Sequence, residues 1–189
     1  MSKSINATHY DRIPAFPDGE KRRAHVVNAI IETPKRSCHK YALIPEYGLI
    51  AFHSVLPRRL EWPYDYGFVP QTLAPDGDAI DILLVSESGL FSGCLIESRV
   101  IGAIRETKDG IENDRLIAVP LPSPGAPMPT DNYFDITDMP RNEVDAIKDF
   151  LVKYSSEQGH AIEVRAIVGT EAALTSVKRC MKQFRKKCA

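Results

Sequence analysis

The chain has 189 residues, with 24 Lys plus Arg against 25 Asp plus Glu and an apolar fraction of 43%. That is the length of one ordinary domain able to bury a full core, and a formal net charge of -1 excludes a global basic field for nucleic acid. No stretch reaches the roughly 18 unbroken apolar residues of a membrane helix, so spanning, collagenous and wholly disordered chains are set aside.

Residues 1–24 read as an N-terminal arm, draped over the domain or mobile. They carry Pro14 and Pro17, then the charged run Asp18 to Arg23. They lack an apolar h-region, so no secretory signal is expected. Residues 25–189 then read as a single domain. The β-branched run His25 to Glu32 predicts a strand, closed by Thr33-Pro34. Lys40 to Ile44 and Leu49 to Phe52 predict two more, joined as a hairpin by the turn signal Pro45-Glu-Tyr-Gly48. Residues 57–78 hold Pro57, Pro63, Pro70 and Pro75 among the aromatics Trp62, Tyr64, Tyr66 and Phe68, which predicts a packed functional loop. Ile80 to Val85, Leu95 to Ile104 and Leu116 to Val119 predict further strands, and the prolines of 120–130 an extended loop. Two helices follow, Asn142 to Tyr154 and Glu171 to Phe184, each with an apolar stripe at helical spacing. Strands first and helices last argue an α+β domain, mainly β, with helices packed outside a small barrel or sheet.

Cys38, Cys94, Cys180 and Cys188 form no C-x-x-C pair. Neither a zinc site nor a disulfide framework is expected, and reduced thiols in a cytoplasmic protein are. Six of the last twelve residues are basic. A solvated helix face with a favourable helix-end charge accounts for them better than an RNA-binding tail.

The sharpest chemical signal is Asp76-Gly-Asp-Ala-Ile-Asp81, followed at once by the apolar strand Ile82 to Val85. Three carboxylates this close repel, and one beside a core is costly to desolvate. A hard cation such as Mg²⁺ or Mn²⁺ removes both penalties. D-G-D by itself is common in solvated turns, and the closing Glu of an EF-hand loop is missing. A second acidic cluster is Asp109, Glu112 and Asp114, with Arg115 next. Glu32 ends a strand eight residues before Lys40. Basic groups beside a carboxylate nest suit a phosphate-bearing substrate, although Lys40 and Arg115 taken singly read as surface charges.

The strings Ile31-Glu-Thr-Pro34, Lys40-Tyr41, Pro63-Tyr-Asp-Tyr-Gly-Phe-Val-Pro-Gln-Thr72, Asp76 to Leu83, Leu116-Ile-Ala-Val-Pro120 and Asp135-Ile-Thr-Asp-Met-Pro140 stand in order along the chain. Together they resemble the soluble, Mg²⁺-dependent inorganic pyrophosphatases over roughly residues 25–185. The resemblance implies a five-stranded OB-like closed barrel with flanking strands. It implies hydrolysis of pyrophosphate to two phosphates by a metal-activated water, with two or more Mg²⁺ ions (Mn²⁺ as an alternative). It also implies a homo-oligomer, a hexamer in bacterial members. Carried over by position, Asp76 and Asp81 ligate metal, while Asp78 touches metal and deprotonates the attacking water. Glu32 and Tyr66 line the site, and Lys40 and Tyr154 hold phosphate oxygens.

The chain departs from the family pattern at Ala42, Ser54, Ala79 and Ser155. The changes at Ser54 and Ser155 remove a phosphate-binding Arg and a Lys, for which Arg58 or Arg59 are candidate substitutes. The second acidic loop has two registers. Read without a gap, Lys108 and Asn113 stand at the acidic positions and Arg115 at the phosphate-binding Lys. Slid by one residue, Asp109 and Asp114 become the metal ligands, which the chemistry favours because a lysine repels a cation. Three functions follow as expectations: an inorganic diphosphatase, a paralogue acting on another phosphoanhydride or phosphoester, or a metal- and phosphate-binding scaffold.

Overall fold

Alternation along the strands decides how this chain packs. The computed structural model describes residues 9–17, 23, 25–57, 59–123 and 125–188. In chain order the strands are β1 (Val26–Thr33), β2 (His39–Ile44), β3 (Leu49–Val55), β4 (Asp65–Phe68), β5 (Asp81–Leu84), β6 (Leu95–Lys108), β7 (Ile111–Glu112) and β8 (Arg115–Pro120). Helix α1 (Arg141–Glu157), β9 (Ile162–Gly169) and α2 (Thr170–Cys188) complete the chain.

Strands β1, β4, β5, β8 and β6 close into a ring, because β1 pairs with β6 as well as with β4. All ring pairings are antiparallel except β5 with β8. β7 and β9 extend β6, and β2 with β3 forms a separate two-stranded sheet. The expected five-stranded ring, mainly β with two helices, is therefore present.

Successive side chains of a strand point to opposite faces, and the two faces here enter two cores. Ile82, Leu84, Leu116 and Ala118 join one cluster with Leu174 and Val177 of α2. Leu83, Val85, Ile117 and Val119 join the other with Ile147 and Leu151 of α1. Each helix thus covers one face of the same strands. α1 starts after Pro140, which has no N–H to leave unsatisfied. α2 ends on Arg185, Lys186 and Lys187, cations suited to a helix C-terminus.

Part of the arm is packed. Ala15 and Phe16 are buried in the first cluster. The Asn28 side chain donates to the Pro14 carbonyl at 2.7 Å and the Asn28 amide to the Ala15 carbonyl at 2.8 Å. The rest of the arm, residues 1–8, 18–22 and 24, lies outside the described residues. Three strands differ from expectation: β4 stands inside the expected loop 57–78, and β7 and β9 were not foreseen. No helix among the described residues is long and apolar enough to cross a membrane.

Gly67 of β4 lies against β1 so closely that a Cβ there would sit 1.9 Å from the Ile30 carbonyl oxygen. That contact is backbone on backbone and cannot be relieved by a rotamer. Gly67→Ala is expected to cost about 3 kcal/mol, the upper end for overpacking. In a chain of this size that lowers Tm by roughly 10 °C, read by thermal denaturation.

Candidate functional site

Strand register builds the centre of the site. β5 runs parallel to β8 with Asp81 opposite Arg115. The Arg115 guanidinium is buried and pairs with Asp81, with Glu106 at 2.9 Å and with the Tyr66 hydroxyl at 3.1 Å. Burial opposes its charge, but Tyr66, Asp81 and Glu106 outweigh this and keep it well above the usual arginine range. Glu106 is 1% exposed, and burial raises its carboxyl while Arg115 lowers it. Tyr66 is pushed far up by burial. Its ring packs on Trp62 at 4.4 Å, within an aromatic group completed by Phe150 and Tyr154. The Tyr154 hydroxyl and Trp62 Nε1 are buried without a hydrogen-bond partner among the described residues.

Beside this centre lies a cavity of about 250 Å³ lined by Asp76, Asp78, Lys108, Asp109, Asn113 and His160, with Ile111. Its acidic wall is the turn before β5. Gly77 supplies a positive φ of 98° there, and the Asp78 amide donates to the Asp76 carboxylate at 3.2 Å. Burial raises the Asp76 carboxyl, with Asp81 and Asp78 adding to the effect. Glu32, at the end of β1, is 8% exposed and accepts from the Leu43 amide at 2.7 Å. Burial lifts its pKa to about 7 against the pull of that bond, with Asp81 and Asp78 raising it and Lys40 lowering it.

Cationic groups also stand at and around the cavity. Lys108 closes β6, and burial lowers its pKa, with Lys40 and Arg115 pushing the same way. His53 on β3 is lowered by burial, then by Lys40 and Lys108. Lys40 pairs across the hairpin with Ser54. Neither Lys40 nor Lys108 has a carboxylate within ion-pair distance among the described residues.

The structure thus brings Asp76, Asp78 and Asp109 to one cavity and sets Asp81, Tyr66, Arg115, Glu32 and Lys40 around it. Asp109 is taken by His160 at 2.7 Å and by the Ala161 amide at 2.9 Å, which hold its carboxyl below the usual range. Asp114 points elsewhere. It accepts from Ser176 of α2 at 2.8 Å and lies near Arg105 and Arg179. Lys108 and Asn113, the residues of the ungapped register, line the cavity, and so does Asp109 of the slid one, whereas Asp114 does not. Arg59 is exposed and does not line the cavity, and Arg58 lies outside the described residues. Sequence reasoning gave no role to Glu106, His160 or His53. The only local signal was a carboxylate, Glu106, in the continuation of an apolar strand.

No group of three or more His, Cys, Asp or Glu side chains that could hold a metal ion is found among the described residues. Mg²⁺, however, is commonly bound by one or two carboxylates plus waters and substrate phosphates rather than by an all-protein cage. Asp76 and Asp78, oxygen donors on one wall with partly unbalanced charge, fit that mode. Asp81, Asp109 and Asp114 already have other partners.

The family model described as inorganic pyrophosphatase matches residues 29–185. The inorganic pyrophosphatase of Geobacillus stearothermophilus is 34% identical over 159 residues, covering 84% of this chain and 94% of that protein. The crystal structure of inorganic pyrophosphatase from Thermus thermophilus superposes with a TM-score of 0.80 at 31% identity, covering 92% of this chain and 98% of that one. The enzyme from Neisseria gonorrhoeae gives 0.82 at 27% identity, covering 93% and 99%.

Arg115→Ala leaves Glu106 and Asp81 without their counter-charge. The expected loss is about 3–5 kcal/mol, measured by urea unfolding, since breaking a buried pair strands a charge. Glu32 gives a second test. Its folded pKa is about 7 against an ordinary 4.5, so the folded protein holds this proton longer than the unfolded one. The cost of ionising it is absent below pH 4.5, grows as pH rises, and is complete above 7. Glu32→Gln, in EDTA, should therefore stabilise by up to about 3 kcal/mol at pH 8 and by under about 1 kcal/mol at pH 5, read by urea unfolding at each pH.

Proposed function

The chain belongs to the inorganic pyrophosphatase family, and from that premise we propose that it hydrolyses pyrophosphate to two phosphates with the help of Mg²⁺. The observation that carries this reading is the mixed charge of one cavity. Asp76 and Asp78 supply anionic oxygens to its lining, and Lys108, with Lys40 nearby, supplies cations without an ion-pair partner among the described residues. A ligand that brings phosphate charge together with a divalent ion satisfies both.

In this reading Asp76 and Asp78 hold the ion, which supplies charge neutralisation and Lewis acidity. Asp78 also accepts the proton of the water that attacks one phosphorus while the bridging P–O bond breaks. Lys40 and Lys108 pair with the phosphate oxygens and hold the leaving phosphate in line. Arg115 and Tyr66 act as positioning residues, because both are engaged with Asp81 and fix that end of β5. The buried Tyr154 hydroxyl, within the aromatic group behind Tyr66, is a further donor to a phosphate oxygen in this reading. The reading extends to a cytoplasmic homo-oligomer, supported by family membership.

A second reading, a scaffold that binds metal or phosphate without turnover, is favoured by Lys108 and Asn113 on the cavity wall. One assay separates the two. Purified protein should release phosphate from pyrophosphate with Mg²⁺, and Asp78→Asn should lower kcat by roughly 10²–10⁴, the usual worth of a general base. Equal release by the two proteins, with Mn²⁺ and Co²⁺ also tried, overturns the diphosphatase reading. A nucleotide or polyphosphate turned over faster than pyrophosphate favours the divergent paralogue.

A further inference from the structure

We propose that Lys108 is a phosphate-binding residue of this cleft, a fixed cation able to hold a phosphoryl anion without a divalent ion. The proposal rests on the pyrophosphatase reading for the class of ligand, and goes beyond it in the metal-free mode of binding.

Three observations support it. The first is delivery. Lys108 is the last residue of β6, paired on one side with Ile111 of β7 and on the other with Ile162 of β9. Its backbone is held from both sides, so the stem leaves a rigid corner. A lysine on a loose surface turn would lose far more freedom on closing over a ligand.

The second is the absence of a competing partner. Asp109, the adjacent carboxylate, is engaged by His160 and the Ala161 amide. Asp114 is drawn to α2 through Ser176. Among the described residues no carboxylate lies within ion-pair distance of the Lys108 ammonium.

The third is repulsion. Lys108 feels the cations Lys40 and Arg115, offset in part by Asp109 and Asp81, and His53 feels both lysines. Lys40 and Lys108 therefore lie close enough to repel, while Arg115 has its own partners in Asp81 and Glu106. A phosphate anion beside the two lysines relieves that repulsion and gains charge-assisted hydrogen bonds. Asn113, also on the wall, adds a neutral amide donor.

The experiment is calorimetric titration of pyrophosphate into the whole chain in EDTA, where no divalent ion is free. Wild type should bind saturably. Lys108→Met, which keeps the length of the stem, should weaken binding about 10- to 100-fold, the worth of a charged hydrogen bond. Lys108→Arg should stay within about threefold, and Lys178→Met, on the exposed face of α2, should match wild type. Should Lys108→Met fail to show a cooperative melt, Lys108→Gln reads the same loss. No binding by wild type in EDTA, or equal binding by wild type and the neutral variants, overturns the proposal. The failure of the diphosphatase reading looks different. There, Mg²⁺-supported turnover is missing while the loss of EDTA binding in the neutral variants persists, and the proposal for Lys108 then stands as an anion site.

Discussion

Arg115 is the group on which the site depends. A guanidinium is the cation best suited to burial, because its planar fork can satisfy several oxygens at once. Here it engages Asp81, Glu106 and the Tyr66 hydroxyl, which come from β5, β6 and β4. Three strands of the ring are thereby referred to one charge. Glu106, almost wholly enclosed, is tolerable only because Arg115 faces it. The ring and the cavity are therefore not independent: the ion pair that closes the polar centre of the barrel also fixes where the acidic turn begins.

Around that centre, charge is sorted by sign. Carboxylates collect on the turn before β5 and at the end of β1, while amines come from the hairpin and from the end of β6. The neighbours of each group explain the opposite pressures on the acids and the amines. Burial and neighbouring acids raise Glu32 and Asp76, whereas burial and neighbouring cations lower Lys108 and His53. Within a family assigned by sequence, such a distribution is a property of this chain. The shared fold supplies the ring, and the side chains on its rim decide how much of the work falls to protein cations and how much to an ion.

Much of this was legible in the sequence, for local reasons. β1, the hairpin and the two helices announce themselves through β-branched runs, a Pro-Glu-Tyr-Gly turn and helical stripes. The Asp76 to Asp81 cluster does so through three like charges beside an apolar strand. β4 was hidden because four residues between Pro63 and Pro70 carry little period of their own, and pairing with β1 and β5 makes them a strand. β9 did carry an alternation, Ile162 and Val164 against Glu163 and Arg165. The acidic loop could not be settled by chemistry alone. Residues of both readings, Lys108 and Asn113 of one and Asp109 of the other, share the cavity wall, while Asp114 is drawn to α2 by Ser176. His160 meets Asp109 across 51 residues, a contact no window along the chain contains.

The hairpin that carries Lys40 has no backbone ladder to the ring. Side chains of β1 hold it instead: Glu32 accepts from the Leu43 amide, and the Thr33 hydroxyl exchanges hydrogen bonds with the Tyr41 backbone. Burial raises the Glu32 carboxyl against the pull of that amide, so the acid that fastens the hairpin is one that its surroundings disfavour as an anion. The reach of the Lys40 amine is thus set from a neighbouring strand rather than from its own.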